Sequence, residues 1–276
     1  MIWSSGEPPP APAITCRAWP RVLLRGSALF TLIVAGLGVK LLLRLVERPI
    51  WGLRRPFSPY VTQTVCRLAL PLLGLHLTVS GQVMRARGAL VVNHASWLDI
   101  FALNAAARVY FVSKAEVAGW PGIGALARAT GTVFIRRDRR DAAQQKLLFE
   151  GRLRAGHKLL FFPEGTSSDG LRVLPFKSTL FEAFFADNLR DFMLIQPVSV
   201  TYCAPEGTDP RFYGWWGNMD FARHLLSVLG QSGKGKVHLV FHPPLRVAEF
   251  DTRKTLANAA EQSVRAGFAP GAKCNS

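Results

Sequence analysis

The sequence predicts an α/β fold: a mostly parallel central sheet flanked by helices, with an N-terminal helical segment that associates with a membrane. Two observations lead to this fold class. From residue 77 onward, short β-rich runs alternate with helical stretches, which is the rhythm of consecutive βα units. Before residue 77 the chain is strongly apolar and basic instead. At 276 residues, of which 49% are hydrophobic, the chain is long enough to bury a large core.

Composition divides the chain into four parts. Residues 1–15 are rich in Pro, Ser and Gly and are predicted to be a disordered tail. Residues 16–78 are predicted to form membrane-anchoring helices, and residues 79–250 the catalytic α/β domain. Residues 251–276 are predicted to form a C-terminal helix and tail.

The N-terminal part has two apolar segments, at residues 22–46 and 60–77. The uncharged stretch 26–39 spans 14 residues, which is short for a membrane-spanning helix of about 20 residues. Two arrangements stay open: a helical hairpin lying in the membrane interface, or one spanning helix followed by a surface helix. Arginines follow the first segment, which predicts that the remainder lies on the cytoplasmic side. They are Arg48, Arg54, Arg55, Arg67, Arg85 and Arg87.

The elements of the α/β domain are predicted from β-rich runs and from helical spacing of apolar residues. The predicted strands cover residues 77–80, 89–93, 109–113, 132–136, 158–162, 193–202 and 236–241. The predicted helices cover residues 97–107, 121–130, 140–155, 178–187, 219–229 and 252–266.

The charge balance, 34 − 18 = +16, favours an acidic partner. With seven tryptophans and a long apolar segment, the expected partner is an anionic membrane surface and not a nucleic acid. No Cys-x-x-Cys spacing and no cluster of Cys and His residues occurs in the sequence, so neither a metal nor a bound cofactor is predicted. A Gly-x-Ser-x-Gly elbow is also absent, which disfavours a serine hydrolase.

The most informative motif is a histidine followed five residues later by an aspartate, His94 and Asp99, after an apolar run. On a continuous helix this spacing separates two side chains by about 140°, and on a strand it places them on opposite faces. They converge only where the chain turns, as at a strand-to-helix junction. Ser96 is the expected N-cap of a helix starting at Trp97, while His94 stays at the strand end.

Two interpretations of this motif stay open, and they are compatible. In the catalytic one, His94 is a general base that takes a proton from an acceptor hydroxyl, and Asp99 orients the imidazole. Helix N-terminal amides would then stabilise the developing oxyanion. In the structural one, Ser96 and Asp99 form a capping box that serves only the helix start.

Three other features are candidates for substrate binding. Arg136 and Arg137, at the end of the β-rich run from Gly131, could bind an anionic headgroup through bidentate hydrogen bonds, or form a solvated cluster. Glu164, on a Pro-Glu-Gly loop, could accept a hydrogen bond from an acceptor hydroxyl or amine, or be an exposed acid in a plain turn. Lys177 offers a second cation, unless it is simply solvated.

Taken together these motifs resemble the glycerophospholipid acyltransferase superfamily, which includes lysophosphatidic acid acyltransferases. The resemblance covers about residues 80–245, with four blocks in the family's order. It implies that His94 and Asp99 are catalytic and that Phe134 and Arg136, in the second block, bind the acceptor. In the third block it implies the same for Glu164, Gly165 and Thr166. The fourth block is Gln196-Pro197-Val198.

One departure bears on the acceptor. Many phosphatidic-acid-forming members continue the third block with arginine, whereas this chain has Ser167-Ser168-Asp169-Gly170. Losing that cation weakens the case for a phosphate on the acceptor. Longer strings, such as Trp215-Trp216-Gly217-Asn218-Met219-Asp220, are similar to a bacterial branch that acylates lyso-aminolipids, among them lyso-ornithine lipid. The alternative acceptor is lysophosphatidic acid.

The resemblance also implies the remaining partners. The acyl donor would be a thioester of acyl carrier protein or of coenzyme A, between which charge does not choose. The acceptor would be a lysolipid, and the location the cytoplasmic face of a bacterial inner membrane. A non-catalytic binder built on the basic surface is the rival from another class; it predicts that His94→Ala leaves function intact and that salt governs affinity.

Overall fold

The central strands of the sheet are buried on both faces. A computed structural model describes residues 3–6, 14–135 and 142–269, and eight strands lie within these ranges. Along the sheet the order is β1-β7-β6-β2-β5-β3-β4, and β8 pairs with β6 outside this path. The strands are β1 Leu75–Gly81, β2 Gly88–Val92, β3 Tyr110–Lys114, β4 Val133–Ile135, β5 Leu159–Phe161, β6 Leu194–Cys203, β7 Gly235–Phe241 and β8 Leu245–Arg246.

Most strand pairs are parallel, so the carboxyl ends of β2, β3, β5 and β6 lie at one edge of the sheet. β2 pairs in parallel with both β5 and β6, β3 with β4 and β5, and β1 with β7. The antiparallel pairs are β6 with β7 and β6 with β8. All five residues of β2 are buried, as expected for a parallel strand covered on both faces. The fold class predicted from the sequence is confirmed.

Helices cover the two faces of the sheet and create two cores. The helices are α1 Trp19–Trp51, α2 Ser58–Leu72, α3 Asp99–Ala106, α4 Ile123–Thr130, α5 Ala142–Arg154, α6 Asp187–Arg190, α7 Phe221–Gly230 and α8 Arg253–Gly267. Successive residues of β2 point into opposite cores: Leu90 and Val92 pack with α1, α2, α3 and α7, while Ala89 and Val91 pack with α5 and α8.

Several sequence predictions differ from the observed elements. The segment predicted as an α-helix at 178–187 is a 3₁₀-helix at Ser178–Phe185. The boundary predicted at residue 78 falls inside β1, which pairs with β7 over its whole length. The C-terminal helix, predicted as a separate part, contributes Leu256, Ala260 and Val264 to the second core. Apolar spacing alone does not distinguish helix types or show which strands a segment joins.

The long N-terminal helix α1 is attached near both of its ends. Near its start, Arg25 Nη1 donates to the carbonyls of Leu229 and Gln231, at 3.2 and 2.8 Å. Near its end, Glu47 Oε1 accepts from the backbone of Phe57 and Ser58, at 2.7 and 2.8 Å. The α1–α2 loop then reaches the end of α4, where Arg55 Nη1 lies 3.5 Å from the Thr130 carbonyl. The helix therefore runs along the side of the domain.

Much of the surface of α1 is apolar and exposed. The helical segment Cys16–Trp51 is long and apolar enough to cross a membrane. An 18-residue stretch of it has a mean hydropathy of 2.1, and only 11% of that stretch is buried. Single exposed apolar residues are ordinary, but a continuous apolar surface marks an interaction site. Together with the lipid chemistry inferred below, this surface indicates membrane association. The exposed apolar residues of α1 include Leu23, Leu24, Phe30, Leu42, Leu45 and Ile50.

Candidate active site

His94 and Asp99 meet at the carboxyl end of β2, where the chain turns into α3. His94 Nδ1 lies 2.7 Å from Asp99 Oδ2. The imidazole keeps 21% of its side-chain surface exposed, whereas the carboxylate is fully buried. Because Asp99 faces Nδ1, the ring nitrogen that remains for a substrate is Nε2. The predicted convergence of these two side chains is therefore observed, with a partly exposed imidazole and a buried carboxylate.

Asp99 holds the turn as well as the imidazole. Its Oδ2 also accepts from the backbone of Ala95 and Ser96, at 2.9 and 3.1 Å. The bond from Ser96 is one half of the capping box considered above; the other half does not form, and Ser96 Oγ is buried without a partner in the described chain. The helix starts at Asp99, two residues later than predicted, because this carboxylate closes the preceding turn. Asp99 Oδ2 therefore contacts the imidazole and also closes the turn at the helix start.

The amides expected to form an oxyanion hole are already engaged. Besides Ala95 and Ser96, the backbone NH groups of Asp99, Ile100 and Phe101 donate to the carbonyls three residues before them. In this conformation, these five NH groups are therefore not available to stabilise an oxyanion, whereas the sequence had predicted this role for the helix N-terminus.

A tyrosine that the sequence did not reveal completes the environment of Asp99. Tyr202, on β6, is buried, and its hydroxyl donates to Asp99 Oδ1 at 2.8 Å. Burial, followed by the nearby Asp99 carboxylate, raises the pKa of Tyr202 well above its usual value, so the phenol stays protonated. Tyr202 therefore supports the carboxylate that in turn supports His94, which makes it a positioning residue.

We expect Tyr202→Phe to lower kcat about tenfold and to leave KM for the lipid nearly unchanged. The substitution leaves one buried oxygen of Asp99 without its donor, which typically costs about 1–3 kcal/mol. Steady-state kinetics on the purified variant would measure the effect. Tyr213→Phe is the matched control, because Tyr213 is also buried but its hydroxyl lies 3.4 Å from the Gly74 carbonyl. Equal effects of the two substitutions on kcat would contradict a role through Asp99.

An aromatic ring also packs against the face of the His94 imidazole. It stacks on Phe162, with ring centroids 4.0 Å apart and an angle of 14° between the planes. Phe162 is the residue between β5 and the Pro163-Glu164 loop, so the third sequence block reaches the imidazole directly. The main chain is fixed as well: Ser168 N donates to the His94 carbonyl and Trp215 N to the Ala95 carbonyl, both at 2.9 Å.

Glu164 binds the backbone of His94 and is buried, whereas the sequence suggested that it contacts the acceptor or is exposed. It is only 1% exposed, and its two oxygens accept from the backbone NH groups of His94, at 3.1 Å, and Leu174, at 2.9 Å. Neither oxygen is therefore open to an acceptor hydroxyl, and Glu164 is not an exposed acid in a plain turn. Burial raises the pKa of Glu164 to about 8, against the opposing effect of its two backbone donors.

This raised pKa predicts a pH-dependent contribution to stability. The folded protein retains a proton on Glu164 that the unfolded chain releases above its ordinary pKa of 4.5, so the contribution is complete below that pH. It is lost as the pH rises through the folded pKa of about 8. We expect Glu164→Gln, which cannot titrate, to show a flatter dependence of its urea midpoint across this range. Glu206→Gln, at an exposed acid, is the control; parallel curves for all three proteins would contradict the assignment.

The other predicted binding residues are spread more widely. Gly165 has a positive φ of 72°, which its turn requires and which a glycine adopts without strain. Thr166 is half-buried, and its Oγ1 lies 3.4 Å from the backbone nitrogen of Trp3, so part of the tail predicted to be disordered contacts this loop. Lys177 is exposed, and its backbone NH group donates to the Pro163 carbonyl.

The second sequence block is only partly described. Phe134 is half-buried on β4, and three strand pairings separate β4 from β2. Arg136 and Arg137 lie outside the described residues. Within the ranges that the structure describes, no group of three or more His, Cys, Asp or Glu residues is arranged to hold a metal ion.

The chain is similar in sequence to known acyltransferases. A family model described as "Acyltransferase" matches residues 76–201. The lyso-ornithine lipid O-acyltransferase of Rhodobacter capsulatus is 56% identical over 267 residues, 97% of each chain. A 1-acyl-sn-glycerol-3-phosphate acyltransferase of Neisseria gonorrhoeae is 44% identical over 92 residues, 33% of this chain and 36% of that protein.

The fold has a solved counterpart. The crystal structure of the 1-acyl-sn-glycerophosphate acyltransferase from Thermotoga maritima superimposes with a TM-score of 0.64 at 21% identity. The match covers 91% of this chain and 95% of that one. It shows that the N-terminal helices and the α/β domain belong to a known architecture.

Proposed function

The chain belongs to the acyltransferase family and is a lysolipid O-acyltransferase, and from this premise we propose that it acylates the hydroxyl of a lyso-ornithine lipid with His94 as general base. The observation that carries the mechanism is the 2.7 Å contact between His94 Nδ1 and the buried Asp99 Oδ2. The acceptor is supported by the relative from Rhodobacter capsulatus, which is 56% identical over nearly the full length of both chains.

The proposed reaction proceeds by direct transfer. His94 Nε2 takes the proton of the acceptor hydroxyl as the oxygen attacks the carbonyl carbon of an acyl thioester. The tetrahedral intermediate collapses, the carbon–sulfur bond breaks, and the imidazolium returns the proton to the leaving thiolate. The products are an ester and a free thiol, and His94 is regenerated. No protein nucleophile is required, because the acceptor supplies the oxygen.

Asp99 is proposed to act through His94. Its carboxylate keeps the proton on Nδ1, so that Nε2 is the basic nitrogen, and it stabilises the imidazolium as that forms. Three donors besides the imidazole hold the carboxylate: two backbone NH groups on Oδ2 and Tyr202 on Oδ1. Because all of them are buried or part of the turn, the pair is preorganised and does not need to be assembled by the substrate.

The proposed donor is a thioester of acyl carrier protein or of coenzyme A. Both carriers are anionic, and the net charge of +16 suits either one. Comparing the two thioesters at equal acyl-chain length, at several ionic strengths, would decide between them. Binding of the acidic carrier protein should weaken more steeply with salt, because a protein presents many charges to the basic surface.

Lysophosphatidic acid remains the second candidate acceptor, because the Neisseria relative is 44% identical over 92 residues. That match, however, spans only a third of the chain. After Thr166 this chain continues with Ser167-Ser168-Asp169, of which Ser168 binds the His94 carbonyl and Asp169 pairs with Arg172. Ser168 and Asp169 thus hold this loop in place, and none of the three residues is a cation that could bind a phosphate.

We propose that the protein lies in one leaflet, on the cytoplasmic face of the inner membrane. A helix that crosses a bilayer places its two ends on opposite sides of a layer about 30 Å thick. In contrast, α1 contacts the α/β domain near its start through Arg25, and the loop that follows its end contacts α4 through Arg55. This geometry favours the interfacial hairpin over the spanning helix. The exposed apolar surface of α1 would then enter the leaflet that contains the lysolipid.

An acceptor assay tests the proposal. Purified protein in mixed micelles would be given labelled acyl thioester with lyso-ornithine lipid or with lysophosphatidic acid, at equal surface concentrations. We expect faster turnover of the lyso-ornithine lipid. Lipid profiles of a deletion strain should accordingly lack the diacylated ornithine lipid and accumulate its lyso form. Exclusive turnover of lysophosphatidic acid, with ornithine lipids unchanged in the deletion strain, would reject the proposed acceptor.

A further inference from the structure

A pocket lies at the edge of the sheet opposite to His94. Its volume is about 240 Å³, and it opens between the start of α2 and the amino ends of β3 and β5. Tyr110 is the first residue of β3, and Lys158 immediately precedes β5. His94, in contrast, follows the carboxyl end of β2, which is parallel to β5. The pocket is thus distinct from the candidate active site.

Positive charge dominates this pocket. Arg55, Arg108 and Lys158 line it, and no Asp or Glu does. Among the described residues none of these three cations forms an ion pair, and the buried Nε of Arg55 has no hydrogen-bond partner. Burial and then Arg108 lower the pKa of Lys158. Cations that repel one another at a concave surface are stabilised when an anion binds between them.

Aromatic rings hold two of the cations in place. The Arg108 guanidinium lies over the Tyr60 ring, 4.1 Å from its centroid, and that of Arg55 lies over Tyr110 at 5.5 Å. Tyr110 is backed in turn by His157, with ring centroids 4.1 Å apart. Stacking restricts planar guanidinium groups that could otherwise move freely, and such groups match the oxygens of a phosphate in a bidentate manner. The pocket therefore has both the charge and the rigidity of a phosphate site.

The surface beside the pocket identifies the source of the phosphate. Trp51, Leu53 and Phe57, at the end of α1 and in the loop that follows, are 39%, 55% and 53% exposed. Tyr60, which is also 53% exposed, belongs both to this apolar surface and to the pocket. Apolar side chains next to cations are the arrangement that a bilayer interface favours, since acyl chains and headgroups are adjacent there.

We propose that this pocket binds the phosphate of an anionic phospholipid headgroup and so fixes the protein on the membrane at a point remote from catalysis. Arg108 and Lys158 contact the phosphate from the strand ends, and Arg55 contacts it from the α1–α2 loop. The lipid bound here is a component of the membrane and is not the acyl acceptor. The site orients α1 in the leaflet, whereas the apolar surface of α1 supplies most of the binding free energy.

Vesicle binding of the full-length protein tests the site. The double variant Arg108→Gln with Lys158→Gln would be compared with wild type on phosphatidylcholine vesicles, with and without phosphatidylglycerol. We expect both proteins to bind neutral vesicles equally. We expect the double variant to lose about tenfold to thirtyfold of the affinity gained from phosphatidylglycerol, since each cation near an anionic surface contributes about 1 kcal/mol. Thermal unfolding would establish that the variant is folded.

A charge-matched control separates a built site from diffuse attraction. Arg246→Gln with Lys254→Gln removes one Arg and one Lys from exposed positions outside the pocket. This control should keep the gain from phosphatidylglycerol. Equal losses in both double variants would show that only net charge matters and would overturn the proposal, as would an undiminished gain in the pocket variant.

Inorganic phosphate, added at constant ionic strength, distinguishes a soluble ligand from a headgroup. If phosphate raises the unfolding temperature of wild type but not of the pocket variant, and vesicle binding is the same for both, the site serves a soluble phosphate and the lipid assignment is wrong. Acyl transfer to an acceptor dispersed in neutral detergent should be retained in the pocket variant. A loss of that activity in the folded variant would place the pocket in catalysis and overturn the separation proposed here.

Discussion

Replacing His94 with alanine should lower turnover by about 10²-fold or more while the protein stays folded, because a positioned general base typically contributes a factor of 10²–10⁴. The imidazole is partly exposed, so its removal opens no closed cavity in the core. Its loss does leave Asp99 with two backbone donors and Tyr202, which keep the carboxylate in place. The rate with saturating thioester and lysolipid would measure the effect, and the unfolding temperature would report on the fold.

His76→Ala is the matched control for this prediction, since His76 is an exposed histidine on β1, at the edge of the sheet. It should retain the rate of wild type. An active His94→Ala protein would remove the proposed mechanism and would favour the non-catalytic binder considered from the sequence. A protein that is inactive because it does not fold is distinguished by its unfolding curve. In that case His94→Gln, which preserves much of the side-chain volume, provides the second measurement.

Asp99→Asn should be similarly severe, for two separable reasons. An amide in place of the carboxylate can present its NH₂ group to Nδ1, which moves the imidazole proton to Nε2 and removes the base; in serine proteases this change costs about 10⁴ in kcat. The amide also has only one acceptor oxygen, whereas the carboxylate accepts four hydrogen bonds in this structure. One or more buried donors then lose their partner, which destabilises the turn by about 1–3 kcal/mol each.

Measuring kcat and the free energy of unfolding on the same preparation separates the two reasons. The catalytic role predicts a large fall in kcat well below the temperature at which Asp99→Asn unfolds. If the variant loses stability but keeps its rate at low temperature, Asp99 serves only the turn. Asp220→Asn is the matched control for a carboxylate at a helix start, because Asp220 accepts from Arg223 N at the start of α7. It should lower stability slightly and leave kcat unchanged.

The core of the site was predictable because the spacing of His94 and Asp99 admits few geometries. Neither a continuous helix nor a continuous strand brings the two side chains together, so the turn between β2 and α3 followed from the motif itself. The alternation of apolar runs likewise predicted the strands that lie behind it. These inferences succeeded because residues close in sequence determine the turn and the strands.

The parts that could not be predicted depend on contacts between distant segments. Tyr202 lies 103 positions after Asp99, and nothing in its own neighbourhood distinguishes it from the other residues of β6. Glu164 has the sequence context of an exposed acid on a turn. In the structure it is buried instead, because the backbone NH groups of His94 and Leu174 donate to its carboxyl group. The observed start of α3 differs from the predicted one for a related reason. The Asp99 carboxylate closes the turn before the helix by accepting from two backbone NH groups.

If the protein lies in one leaflet, as we propose from the contacts of α1 and of the loop after it with the domain, a kinetic consequence follows. Its lipid substrate arrives by lateral diffusion within a plane and never has to desorb into water. Encounter frequency is then governed by the mole fraction of lysolipid at the surface, so diluting the acceptor with inert lipid would slow the reaction even when the total amount of acceptor is constant. The proposed thioester donor would come from the aqueous side, so the two reactants would approach from different phases.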